Sequence, residues 1–71
     1  MDPDANIAAQ RRLIARLHAD PGYATARRDL AELSQALHDW LGRGGFHPAA
    51  ADWRDIQSVT GLLLSRLAPH T

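Results

Sequence analysis

The chain has 71 residues, no cysteine, and eight arginines balanced by eight acidic residues, for a formal net charge of zero. This composition excludes disulfides and thiolate zinc sites and lacks the basic excess of a dedicated duplex binder. It also leaves room for one small domain, whose core supplies only about 3–5 kcal/mol, so oligomerisation is the expected extra support.

Asp2-Pro3 is a helix start signal, because an aspartate caps free amides and proline suits the first helical position. From Asp4 to Ala19 the apolar positions Ile7, Leu13, Ile14 and Leu17 fall in an arc of about 120°, as in a core-facing helix. Asp20-Pro21-Gly22 interrupts this pattern and offers a second Asp-Pro start. In the second helix Ala26, Leu30, Leu33, Leu37, Trp40 and Leu41 make one stripe, the strongest periodic signal in the chain. Arg28 and Glu32, four apart on its outer face, predict an ion pair worth about 0.2–0.5 kcal/mol.

The stretch LGRGGFHPAAADW, residues 41–53, then breaks the helical pattern. It reads as a helix stop: Gly42 or Gly44 supplies positive φ, Phe46 folds back on the last turn, and Pro48 keeps His47 out of the α region. Asp52 is expected to cap the third helix, with Asp55 as the acidic half of a capping box. In that helix Ile56, Val59, Leu63 and Leu67 form the expected central stripe, flanked by Leu62 and Leu64, with Trp53 on the same broad face. That is more apolar surface than two partner helices readily cover. Ser58, Gly61 and Ser65 form a separate strip of small residues. Gly61 costs about 1 kcal/mol in a helix interior, and either admits another backbone closely or is a tolerated surface glycine. Trp53, Gly61, Leu62 and Leu64 are therefore the candidate oligomer or partner interface.

The expected fold is all-α: one domain over residues 1–71, a long antiparallel hairpin plus a C-terminal helix, with helices at about 3–19, 22–42 and 52–68, assembled as a homo-oligomer. With no signal-like apolar region and no run of 18 apolar residues, a soluble cytoplasmic protein is expected.

All eight cations are arginine. Arginine's planar fork suits phosphate and carboxylate, although a GC-rich genome also favours Arg, Ala and Gly codons. Arg12 and Arg16 share the outer face of the first helix, and Arg11 and His18 border its apolar stripe. A short turn brings Arg16 and His18 near Tyr23, Arg27 and Arg28 at the start of the second helix, which adds free amides and a positive dipole end. Arg12, Arg16, His18, Tyr23, Arg27 and Arg28 thus form a candidate anion or nucleotide site, with Tyr23 stacking on a base. The alternative is a solvated arginine face balanced by Asp20, Asp29 and Glu32.

Neither a nucleophile–base–orienter set nor a phosphate-binding glycine motif is visible; the serines lack a G-x-S-x-G setting and "GRGG" is no P-loop. The four histidines, His18, His38, His47 and His70, have no close metal-ligand spacing. The expectation is a non-enzymatic protein without metal or cofactor.

The run DPDANIAAQRRL, followed by LAELSQALHDWLGRGGFHPAAADW, resembles a group of short helical proteins of actinobacteria and their phages. The shared positions are Asp2, Pro3, Trp40, Leu41, Gly44, Gly45, Phe46, Pro48 and Trp53. The resemblance covers residues 2–53 and departs at the C-terminus, where this chain continues into a third helix. It implies a phage-like setting, with the host cytoplasm as the place of action, and carries over no catalytic residue.

The first expected function is therefore a homo-oligomer that sequesters an anionic, nucleotide-like ligand such as an immune signal. The alternative is an inhibitor or adaptor that docks a host protein through helix 3. A DNA-binding regulator is disfavoured by the neutral charge and by a link of about ten residues where a helix-turn-helix has three or four.

Overall fold

The computed structural model describes residues 1–67, which form α1 (Pro3–Ala19), α2 (Ala24–Gly42) and α3 (Trp53–Leu67), with no strand among the described residues. Ala68, where the sequence pattern placed the end of helix 3, and His70 lie outside the described residues.

At the start of α1, Asp2 Oδ1 accepts the Asp4 and Ala5 amides at 3.0 and 3.1 Å, and Pro3 takes the first helical position. The second Asp-Pro acts differently. Asp20 closes α1 by donating its amide to Arg16 O at 2.8 Å, and its carboxylate accepts the Gly22 amide. A turn from Asp20 to Tyr23 follows, with Tyr23 N–H donating to Asp20 O, so α2 begins at Ala24, two residues after the expected start.

Trp40, Leu41, Gly44 and Gly45 end α2 in a Schellman arrangement. Gly45 N–H donates to Trp40 O at 2.9 Å and Gly44 N–H to Leu41 O at 3.1 Å, with Gly44 at φ 86°. Gly45 is needed for a second reason: a Cβ there would lie 2.3 Å from the Trp40 indole. Trp40 Nε1 donates to Phe46 O at 3.0 Å, and the Phe46 ring meets the indole edge-on at 5.4 Å. The glycine-rich stretch is thus accounted for by helix termination.

Two side chains tie the connection to α1. Asp4 Oδ1 accepts the Ala49 amide at 2.6 Å, and Arg11 donates to the Asp52 carboxylate. Asp52 precedes α3, and its carbonyl accepts the Ile56 amide. Its carboxylate serves Arg11, an inter-element tie that the local capping pattern could not reveal.

The helices run up, down and up. Leu17, Ala26 and Leu30 form the apolar centre near the α1–α2 turn, covered by Leu13, Ile14, Tyr23, Leu63, Leu64 and Leu67. Pro3, Ile7 and Leu37 are buried toward the other end. The radius of gyration is 12.0 Å, close to the roughly 11 Å of a compact chain this long.

Between these apolar regions lies a polar layer. Gln10 and Thr60 are fully buried and Asn6 nearly so. Gln10 Nε2 donates to Asn6 Oδ1 and to Gln57 Oε1, each at 2.8 Å, while Thr60 Oγ1 donates to Gln10 Oε1 at 2.8 Å. Asn6 Nδ2 donates to Leu33 O, Ser34 Oγ to Gln57 Oε1, and Gln57 Nε2 to Ser34 O. No buried side-chain polar atom among the described residues lacks a partner. One connected network therefore spans all three helices.

This layer corrects the expected stripe of helix 3. Thr60 occupies the centre of the inward face, and Val59 is 43% exposed. With 100° per residue, Trp53, Ile56, Thr60, Leu63 and Leu67 point inward together, which turns Val59 aside.

Candidate interaction face

Three surfaces compete for a functional role. The first is the arginine cluster at the α1–α2 turn. The Arg16 guanidinium stacks 4.4 Å from the centre of the Tyr23 ring, as their expected proximity allows. Arg27 is half-buried and donates to Leu67 O at 2.8 Å, satisfying a free carbonyl at the end of α3. Arg28 lies 3.7 Å from Asp29, so the expected i,i+4 partner Glu32 is replaced by the next residue. Arg12 and His18 are exposed. The six residues are thus neighbours in part only: Arg16 and Tyr23 engage each other, Arg27 serves the fold, and Arg12, His18 and Arg28 face outward.

The second is a groove of about 530 Å³ between α2 and α3, lined by Ala31, Ser34, Gln35, His38, Gln57, Ser58 and Leu64. Its polar floor, Ser34 and Gln57, is committed to the internal network. No residue of this groove except Leu64 was a sequence candidate. Among the described residues, no group of three or more His, Asp or Glu is placed to hold a metal.

The third is the outer face of α3. Leu62 is 64% exposed and Val59 43%. With Leu63 and Arg66 they border a shallow depression of about 200 Å³. The other interface candidates lie elsewhere. Leu64 packs inward against the Leu17–Ala26–Leu30 cluster. Trp53 is half-buried, 5.3 Å from the His47 ring and 4.9 Å from the Arg54 guanidinium. Gly61 has open space where a Cβ would stand and lies with Ser58 and Ser65 on the flank away from Val59. The candidate surface therefore narrows to Val59 and Leu62, with charged Asp55 and Arg66 at its two ends, both exposed.

Electrostatically, the clearest effect is at Asp52. The Arg11 guanidinium bonded to its carboxylate holds it below the usual aspartate range, against a smaller opposing effect of desolvation. Both side chains are nearly half exposed, at 44% and 45%, and the pair fastens the connection to α1. The role of this pair is structural: it ties the segment before α3 to α1.

No helix of the described residues is long and apolar enough to cross a membrane. No protein-family profile matches the chain, no curated protein matches it, and no solved structure matches it.

Proposed function

We propose that this protein is a non-catalytic binding module that works through the outer face of α3, as an inhibitor or adaptor of the phage type its sequence pattern resembles, acting in the cytoplasm. The observation that carries this reading is the exposure of Val59 and Leu62 on a helix that buries Thr60. Thr60 has its own reason to face inward, its bond to Gln10, whereas nothing within the described residues covers Leu62. Val59 and Leu62 are neighbours on the helix surface, so together they make one small apolar patch that a partner would cover.

The test is a photo-reactive residue at position 62, compared with one at position 32 on the outer side of α2, in the cells that express the chain. Covalent adducts at 62 and none at 32 are expected. Equal labelling at both positions, or none, overturns the reading.

A second reading keeps the anionic ligand, and the observation for it is the exposure of Arg12, His18 and Arg28 around the Arg16–Tyr23 stack. A base would have to displace Arg16 from Tyr23, so the phosphate part of the ligand carries this reading. Arg12→Ala and Arg28→Ala are the informative variants, because Arg27 is engaged with Leu67 O. Calorimetry with ATP as probe should show binding that both variants lose; no heat with the native chain removes a nucleoside triphosphate from consideration.

A further inference from the structure

We propose that the occupant of this face is a second copy of the same chain, laid antiparallel so that Asp55 of each copy meets Arg66 of the other and Val59 meets Leu62. The inference rests on the reading of α3 as the working surface: the second copy covers this face of the free chain in a defined register, and a target protein would compete with it for the same residues.

The argument is the spacing. Asp55, Val59, Leu62 and Arg66 are separated by four, three and four residues. This alternation keeps side chains on one seam of a helix, as in a coiled coil. At 100° per residue the four lie within an arc of about 60°. The pattern also reads the same in spacing from either end, with its midpoint between Thr60 and Gly61. A two-fold axis through that midpoint therefore sets position 55 of one copy opposite 66 of the other, and 59 opposite 62. Each acid meets one base and Val59 meets Leu62, and the symmetry makes both contacts twice. This is the self-complementary surface that an isologous pair requires. A parallel pair would set Asp55 against Asp55 and Arg66 against Arg66.

Two features of the structure agree with this register. Val59, Leu62, Leu63 and Arg66, which border the shallow depression, stand at i, i+3, i+4 and i+7. That is the four-residue hole into which a knob from a facing helix fits, and Val59 of the second copy is level with it. Asp55 and Arg66 belong to neither of the two ion pairs among the described residues, Arg11–Asp52 and Arg28–Asp29. The net charge of zero means that two copies approach without overall repulsion.

The area sets the strength. A helix of 15 residues is about 22 Å long, and one side of it buries well under the roughly 800 Å² per partner of a stable assembly. The pair is therefore a reversible dimer whose population depends on concentration.

Sedimentation equilibrium from micromolar to millimolar protein tests this. The native chain should show a reversible monomer–dimer equilibrium. Asp55→Arg and Arg66→Asp should each weaken it about tenfold or more, since each replaces two attractions by two repulsions. An equimolar mixture of the two variants should dimerise again, because both cross-pairs are then opposite in sign. A mere folding defect would not be rescued by mixing. A native chain that stays monomeric at millimolar concentration overturns the second copy; adducts of a different mass at position 62 would leave the α3 face standing with another partner. Dimerisation that Leu62→Asp abolishes but neither charge reversal weakens overturns the register and keeps the face.

Discussion

Thr60 and Leu62 stand two residues apart on α3 and meet opposite environments. Thr60 is fully buried with its hydroxyl on Gln10, whereas Leu62 is 64% exposed. Thr60 is held by a chain of hydrogen bonds through Gln10, Asn6 and Gln57 that joins all three helices. Hydrogen bonds of this kind have one geometry. A slip of either neighbour by one residue would leave several buried donors and acceptors unpaired, each costing about 1–3 kcal/mol. An apolar layer in the same place would tolerate more than one register. The inner face of α3 thus specifies how the bundle assembles, and the outer face leaves the apolar area of Val59 and Leu62 exposed.

The comparison is broken most directly at Gln10, whose side chain holds Asn6, Gln57 and Thr60 together. Gln10→Ala should cost about 3 kcal/mol or more, from the cavity and from partners left unpaired. That approaches the whole stability expected of so small a core. Urea denaturation followed by circular dichroism should show a largely unfolded variant; a loss below about 1 kcal/mol would mean that water replaces the network at little cost. Thr60→Val keeps the shape and removes one donor, leaving Gln10 Oε1 without that partner. A loss of about 1–2 kcal/mol is expected, and an unchanged midpoint would show that the threonine is there for volume alone.

The outer side of the same helix should respond in the other direction. Gly61 has nothing within reach of an added Cβ, so Gly61→Ala should raise stability by about 0.8–1 kcal/mol through helix propensity. A destabilised Gly61→Ala would show that something does approach this backbone in solution. Leu62→Asp should change the unfolding free energy by no more than about 0.5 kcal/mol while abolishing association. If it unfolds the chain, the outer face belongs to the core and the proposed role of α3 fails.

Much of this architecture is legible in the sequence. Asp2-Pro3 marks the start of α1, the stripe from Ala26 to Leu41 marks α2, and Gly44 with its positive φ marks the stop. The surplus of apolar residues on helix 3 is legible too, but its direction is not. Scoring by apolarity selects Val59 over Thr60, because the value of a threonine in a core depends on a partner 50 residues away. Asn6, Gln10 and Gln57 were missed for the same reason. One signal was available: Ile7, Gln10, Ile14 and Leu17 share a helical face, so a glutamine stands where a core residue is due. The arginine cluster shows the complementary difficulty. The nearness of Arg16 and Tyr23 follows from a short turn, whereas the bond from Arg27 to Leu67 O depends on where α3 ends.

The last contrast is between the buried neutral network and the exposed ion pair, and pH separates them. Asn6, Gln10, Gln57 and Thr60 carry no titrating group, so their contribution is constant from acid to base. The Arg11–Asp52 pair is different, because Arg11 lowers the folded pKa of Asp52. Its contribution is complete above the ordinary aspartate range, where the carboxyl is ionised in both folded and unfolded chains. It declines as pH falls through that range and is gone below the depressed folded value, where both states are protonated. Both groups are nearly half exposed, so solvent and salt screen the pair and the effect is the smallest of the set. Carboxyl NMR should show Asp52 titrating at lower pH in the native chain than in Arg11→Ala. The stabilities of the two proteins should differ at neutral pH and converge in acid. If Asp52 titrates identically in both, the connection between α2 and α3 is held by the Asp4–Ala49 bond and the Schellman turn without help from this pair.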